Sequence, residues 1–153
     1  MKIKTIDAVN AYKEIKDLKV NSLNDEAALA VWRNIKSMRP VADEYNKSVE
    51  DVYKSLQDKE YISMTERAQT YNTTLAKCKE ENKPITEDML SEVKVINEFF
   101  ANRKKTAEKY FKELDNKEIE IPIELLDESE MIKAFKASDK AYGNMLVLSF
   151  LIK

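Results

Sequence analysis

Hydrophobic residues in this chain recur mainly at helical spacing. After residues 1–4, whose Met-Lys-Ile-Lys pattern predicts a short strand, Ala8, Ala11, Tyr12, Ile15 and Leu18 share one face of a helix over residues 5–19, with Thr5 as its cap. Asn21, Ser22 and Asn24 then supply turn and capping chemistry for a longer helix over residues 24–57. Within it the apolar positions keep a seven-residue period, with Ala28, Ile35, Ala42, Val49 and Leu56 on one row and Val31, Met38, Tyr45 and Val52 on the other. That is the pattern of a coiled-coil seam. Pro40 removes one intrahelical hydrogen bond but falls on the outer face and leaves the phase intact, so a kink is expected there rather than a break.

The phase is lost across residues 57–60 and restarts with Tyr61, Met64, Ala68, Tyr71, Leu75 and Cys78. With Ser63 and Glu66 as a capping pair, this predicts a helix over residues 62–82 after a chain reversal near residues 57–62; the alternative is one continuous helix with a stutter. Pro84 ends that segment, and Thr86 caps a helix over residues 86–115 whose apolar face is Met89, Val93, Ile96, Phe100, Ala107, Tyr110 and Leu114, with Arg103 intruding on the row. Over residues 118–124, Ile119, Ile121 and Ile123 alternate with Glu118, Glu120 and Glu124, and Pro122 confines this second strand to an edge. Its acidic face matches the lysines of residues 1–4, so a two-stranded ribbon is expected to join the two segments. Helices over residues 128–136 and 139–152 complete the reading, the last apolar nearly all round and therefore destined for burial in its own core or against another chain. The expected fold is mainly α, a single helical domain over residues 1–153, with long antiparallel helices forming a hairpin or bundle and a small β ribbon.

Composition narrows the chemistry. Charged residues make up 35% of the chain, above the roughly 25% of an ordinary soluble domain, as long helices with wide solvated faces require. Gly143 is the only glycine, which argues against the phosphate-cradling loops of nucleotide-binding folds. Histidine is absent, removing the usual general base and the commonest metal ligand. Cys78 is the only cysteine, so no internal disulfide can form, and without a histidine to activate it a place in the core is the expectation. The opening residues carry no apolar stretch of signal-peptide length, and no apolar run approaches the roughly 20 residues of a membrane span, so a cytoplasmic protein without a membrane partner is expected. A formal charge of −2 exerts no global pull on nucleic acid.

The helical carboxylate pairs Asp88 with Glu92 and Glu108 with Glu113 lack the Glu-x-x-His spacing of di-iron bundles, so they read as solvated charge; no catalytic residue, metal or cofactor is expected. The basic face around residues 103–112 supplies Arg103, Lys105 and Lys109 as candidate phosphate contacts for an alternative function, a nucleic-acid-associated regulator. Arg33, Lys36 and Arg39 form a second basic group, but neither group has the spacing of a known DNA-binding motif, which disfavours a nucleic-acid partner. The favoured reading is a non-enzymatic interaction or scaffold protein that binds a protein partner, or itself, through helix faces. Its candidate interface residues are Trp32, Met38 and Tyr45 on the long helix and Met145, Leu146 and Phe150 near the end of the chain.

The opening Met1-Lys-Ile-Lys-Thr-Ile-Asp-Ala-Val-Asn-Ala-Tyr, the helix carrying Trp32-Arg-Asn-Ile-Lys-Ser-Met, and the Leu114 to Ile123 strand region followed by an apolar terminal helix resemble small uncharacterised proteins encoded by tailed phages and prophages. The likeness omits residues 57–90. It implies a role in virion assembly or phage–host interaction, with association with the virion and no catalytic residues to carry over.

Overall fold

The computed structural model describes residues 1–153 and is mainly α-helical. In chain order the elements are β1 (Lys2–Lys4), α1 (Thr5–Ile15), a 3₁₀ turn (Val20–Ser22), α2 (Asp25–Leu56), α3 (Lys59–Glu80), α4 (Glu87–Asn116), β2 (Glu118–Glu120), α5 (Glu128–Ala137) and a 3₁₀ helix (Tyr142–Leu151). The chain packs as two compact units, one made of Met1–Ser48 with Lys112–Lys153 and the other of Val49–Phe111. Helices α2 and α4 contribute residues to both.

In the first unit the expected ribbon forms. β1 and β2 pair antiparallel, placing Lys2 opposite Glu120, Ile3 opposite Ile119 and Lys4 opposite Glu118, so opposite charges face across the exposed side. The ladder gains two more bonds where the Ile121 N–H donates to the Met1 carbonyl and the Met1 amino group donates to the Ile121 carbonyl, and Pro122 then ends it short of the expected residue 124. Thr5 does not cap α1. Lys4 occupies that position, while the Thr5 hydroxyl and N–H both donate to the Lys117 carbonyl at 2.9 Å, tying α1 to the end of α4. Helix α1 stops at Ile15, four residues before the expected end.

The core of this unit is built by α1, the first half of α2, α5 and the last segment. Phe135, Ile15, Met38, Met131, Leu148, Leu151, Val9 and Val31 are fully buried, each contributing about 1.5–3 kcal/mol of apolar transfer. The terminal apolar segment is a 3₁₀ helix rather than the expected α-helix. On that geometry side chains three apart eclipse. Leu148 and Leu151 are accordingly buried on one row with half-buried Met145, while Leu146 and Val147 turn outward. A parallel bridge of Leu126 with Ile152, closed by Leu126 N–H to Leu151 O (2.7 Å) and Lys153 N–H to Leu126 O (2.9 Å), fixes the segment.

Two buried polar groups lock the unit. The Asn34 side-chain amide, 1% exposed on α2, donates to the Glu124 carbonyl at 2.7 Å and accepts from the Glu124 N–H at 2.8 Å, acting as a strand partner for an extended segment. Glu130, 6% exposed on α5, accepts from Lys133 at 2.6 Å and from the Asn24 backbone N–H at 3.1 Å, while the Asn24 side chain caps α2 by accepting from the Ala27 N–H at 2.8 Å. Helix α2 runs through Pro40 without a break, and Pro40 is exposed as its phase predicts.

The second unit is a helical hairpin. Tyr53 meets Phe111 at 5.4 Å between ring centroids, Tyr61 meets Phe100 at 5.5 Å, and Arg67 pairs with Glu92. Partner numbers on α4 therefore fall steadily as the chain passes from α2 into α3. The expected reversal at residues 57–62 does not occur: the helix is interrupted at Gln57 and Asp58, and both flanking helices run antiparallel to α4. Helix α3 begins earlier than expected because Asp58, not Ser63, is its cap, accepting from the Tyr61 N–H at 2.9 Å. The actual turn follows Glu80, where Asn82 adopts φ 51° and the Lys83 N–H closes back onto the Cys78 carbonyl at 2.8 Å. Thr86 caps α4 by accepting from the Met89 N–H at 3.3 Å.

Candidate functional site

The hairpin keeps its predicted seam. Val49, Val52, Leu56, Tyr61, Met64, Ala68, Tyr71, Leu75 and Cys78 on one side, and Met89, Val93, Phe100 and Ala107 on the other, are all half-buried, and between Val49 and Phe111 only Ile96 is buried. Cys78 thus lines a half-open seam rather than a closed core. Two helices side by side can cover only the inner stripe of each other.

Arg103, the charge that breaks the apolar row of α4, lies opposite the interruption at Gln57 and Asp58. Its guanidinium donates to the Leu56 carbonyl at the end of α2 (3.3 Å), to both Asp58 oxygens at the start of α3 (2.8 and 3.1 Å) and to Glu60 (2.9 Å). It also stacks over Phe99, 5.1 Å from the ring centroid. One cation therefore satisfies the orphan carbonyl end of one helix and the capping carboxylate of the next. The Tyr61 N–H, and after it Arg103, hold the Asp58 carboxyl below the usual range. Helix interruption and charged intruder are thus one feature, visible in the sequence as two unexplained anomalies.

Beside this junction the seam opens into a groove. One part, about 370 Å³, is lined mainly by Tyr53, Leu56, Tyr61, Phe100, Ala107 and Phe111, with Arg103, Lys104 and Glu108 on its rim. It continues through Gln57 and Tyr61 into a second part of about 250 Å³ along Ile62, Thr65 and Gln69. Tyr53 and Ile62 are each 53% exposed. A separate hollow of the hairpin, lined by the Arg67–Glu92 pair, Thr70, Tyr71, Thr74, Asp88 and Met89, exposes mostly apolar surface as well. None of the groove aromatics belongs to the residues that sequence reasoning singled out as interface anchors. The signal available for Tyr53 was its place off both heptad rows, one residue past Val52, where a large apolar side chain has no seam to enter.

The sequence-derived candidates are scattered. Trp32 is 56% exposed with Lys36 over its ring at 5.3 Å, and Leu146 is 80% exposed, so both present apolar surface. Met38 is fully buried in the first unit and has no surface to offer a partner, because the core face of α2 runs through Ala27, Ala30, Val31, Asn34, Met38 and Ala42. Tyr45 is half-buried and donates its hydroxyl to Asp115 at 2.7 Å. Met145 and Phe150 are half-buried against the core.

The basic face is likewise depleted. Arg103 is committed to Asp58 and Glu60 and is not a free phosphate contact, whereas Lys105 and Lys109 are exposed. The carboxylates with shifted acidity, Glu50, Asp58, Glu92 and Glu130, all move down, each held ionised by hydrogen bonds, chiefly from Lys54, the Tyr61 N–H, Arg67 and Lys133 respectively. No cluster of three or more acidic or cysteine side chains is placed to hold a metal ion. No helix is long and apolar enough to cross a membrane. No family model, curated protein or solved structure matches the chain.

Proposed function

We propose that this protein is a non-enzymatic interaction or scaffold protein that makes its principal contact through the Val49–Phe111 hairpin. The observation that carries this reading is the apolar groove beside the α2–α3 interruption, where Tyr53 and Ile62 stand more than half exposed above a seam with one buried residue. Large aromatics over an unfilled apolar groove, rimmed by charges of both signs, match the anatomy of a protein interface core with its polar rim. On the resemblance to phage-encoded proteins, the contact serves virion assembly or the phage–host interaction.

The test is affinity capture from the native lysate with the wild-type chain and with a Tyr53→Glu, Ile62→Glu double variant, at low and high salt. A stoichiometric protein that survives high salt and is lost from the variant supports the reading, since an apolar contact is not screened by salt. Identical eluates from the two proteins would remove it.

A further inference from the structure

We infer that the outer arm of the hairpin, made of α3 and the facing residues 87–100 of α4, opens and closes as one unit while the rest of the fold stays intact, and that Arg103 is the latch holding it closed. Packing, helix phase and the bonds at the junction each point to this.

The arm has almost no core. Helix α1 buries Thr5, Ala8, Val9, Ala11 and Ile15 in 11 residues, whereas α3 buries none of its 22 and α4 only Ile96. Between α3 and α4 lie a half-buried seam and the Arg67–Glu92 pair, whose side chains are 48% and 29% exposed and so add little. Segments with few buried apolar contacts open at a smaller free energy than the whole fold. Once off α4, a 22-residue helix without a partner is marginal in water, so packing and helix are lost together.

What keeps α3 on α4 is not local sequence. No glycine or proline lies between Val41 and Lys83, so nothing in the chain itself obliges the helix to break at Gln57 and Asp58. Were it continuous, the period of α2 would bring Lys59, Ser63, Glu66, Thr70, Thr73 and Lys77 to face α4. The apolar row that does face it starts at Tyr61, two residues early, or about 200° around a helix of 3.6 residues per turn. The break and the docking of α3 therefore stand or fall together.

Arg103 holds the break. The Leu56 carbonyl, which a continuous helix would offer to the Glu60 N–H, accepts from Arg103 instead, and the same guanidinium bonds Asp58, the cap of α3, and Glu60. Its side chain is 21% exposed, so these charged bonds are less screened than those of Arg67. Closed, the arm contributes Tyr61 and Ile62 to the groove beside Tyr53 and Phe111; open, it takes the groove apart and bares the row from Tyr61 to Cys78. The latch thus decides whether the groove exists.

The experiment is native-state amide hydrogen exchange on the full-length chain, read by NMR for α3 and residues 87–100 against Ala11 in α1 and Ala134 in α5. In the wild type the arm should be protected at least about 100-fold less than Ala11 and Ala134, both fully buried. Arg103→Ala should lower protection throughout the arm by a further factor of about 10 or more and leave Ala11 and Ala134 unchanged. Ile15→Val, a mild truncation in the core of the first unit, should do the reverse and spare the arm. Asp58→Asn with Glu60→Gln removes the charges facing Arg103 but keeps a side chain that caps α3, so it should reproduce Arg103→Ala and carries the test if that variant does not fold. Equal protection of arm and core in the wild type, or an equal loss from both in Ile15→Val, would show that the arm opens only by global unfolding and overturns the inference. Arm protection left unchanged by either junction variant overturns the latch.

Discussion

Replacing Asn34 tests the claim that one buried amide holds the extended segment onto α2. The side chain is 1% exposed and makes both of its bonds to a single backbone residue, donating to the Glu124 carbonyl at 2.7 Å and accepting from its N–H at 2.8 Å. Asn34→Leu keeps the γ-branched shape, with a larger side chain, but leaves the Glu124 carbonyl and N–H unpaired, and each buried orphan costs about 1–3 kcal/mol. Partial exposure of Glu124 lets water recover some of this, so the expected loss is about 2–4 kcal/mol. Asn34→Asp should be no milder, because a carboxylate would face the Glu124 carbonyl. The neighbouring Arg33–Glu124 ion pair, 2.8 Å but exposed on both sides, serves as the control: Arg33→Ala should cost less than about 1 kcal/mol. Urea unfolding followed by fluorescence of Trp32, the only tryptophan and a residue of this unit, reads the effect. With an m-value near 2 kcal/mol/M the midpoint should fall by about 1–2 M. A loss below about 0.5 kcal/mol for Asn34→Leu, or an equal loss for Arg33→Ala, would refute the reasoning.

Further consequences are open to measurement. Glu130 has its carboxyl held below the usual range, first by Lys133 and then by the Asn24 N–H, so the stability it contributes is full above about pH 4.3 and is lost as pH falls through its lower folded value; Glu130→Gln should flatten the decline of Trp32-monitored stability between about pH 5 and 3. An undiminished slope in that variant would mean Glu130 is not the linked group. Arg103→Leu should restore the apolar row of α4 yet loosen the α2–α3 junction, seen as faster amide exchange at Tyr61, whose N–H is held by Asp58; unchanged protection there would show that Asp58 caps α3 without help. Ile121→Lys places a charge at an 8%-exposed site beside the ribbon and should release β1, so that trypsin cleaves after Lys4 in the variant well before the wild type; equal cleavage rates would count against the ribbon as a clamp. Phe135→Ala should cost about 3–5 kcal/mol by opening a cavity in the core of the first unit, measured in the same urea assay.

The elements that the amino-acid pattern announced are those whose partners lie on one face at a fixed period. The seam rows of α3 and α4 appear at the predicted positions, apart from Tyr110, which is 41% exposed, because a seven-residue repeat states which side of a helix is apolar whatever it meets. The ribbon was legible for a related reason: alternation in residues 118–124 and lysines in residues 1–4 gave both strand character and matching charge. Within the first unit the same logic misled. Ala28 and Ile35 follow the heptad but are only half-buried, while Ala27, Ala30 and Asn34 go inside, because a compact unit surrounds α2 on a broader arc than a two-helix seam does. Asn34 carried no signal of burial in the sequence, since its partner is a backbone 90 positions away.

The sequence by itself determined the helical class, the helical periods, the paired strands and the absence of histidine chemistry, all of which follow from local composition and spacing. Only the tertiary structure decided that the chain runs straight past Gln57 and Asp58 instead of turning back. Direction at a helix interruption depends on what lies across from it, and here that is Arg103 bonding both helix ends at once. Tertiary contacts also decided that the last apolar segment winds as a 3₁₀ helix, where Met145, Leu148 and Leu151 align on the one side that the core leaves open. The exposed groove of Tyr53 and Ile62 belongs to the same category. Apolar residues are written into the chain, but which of them stay uncovered is set by how many neighbours the fold supplies.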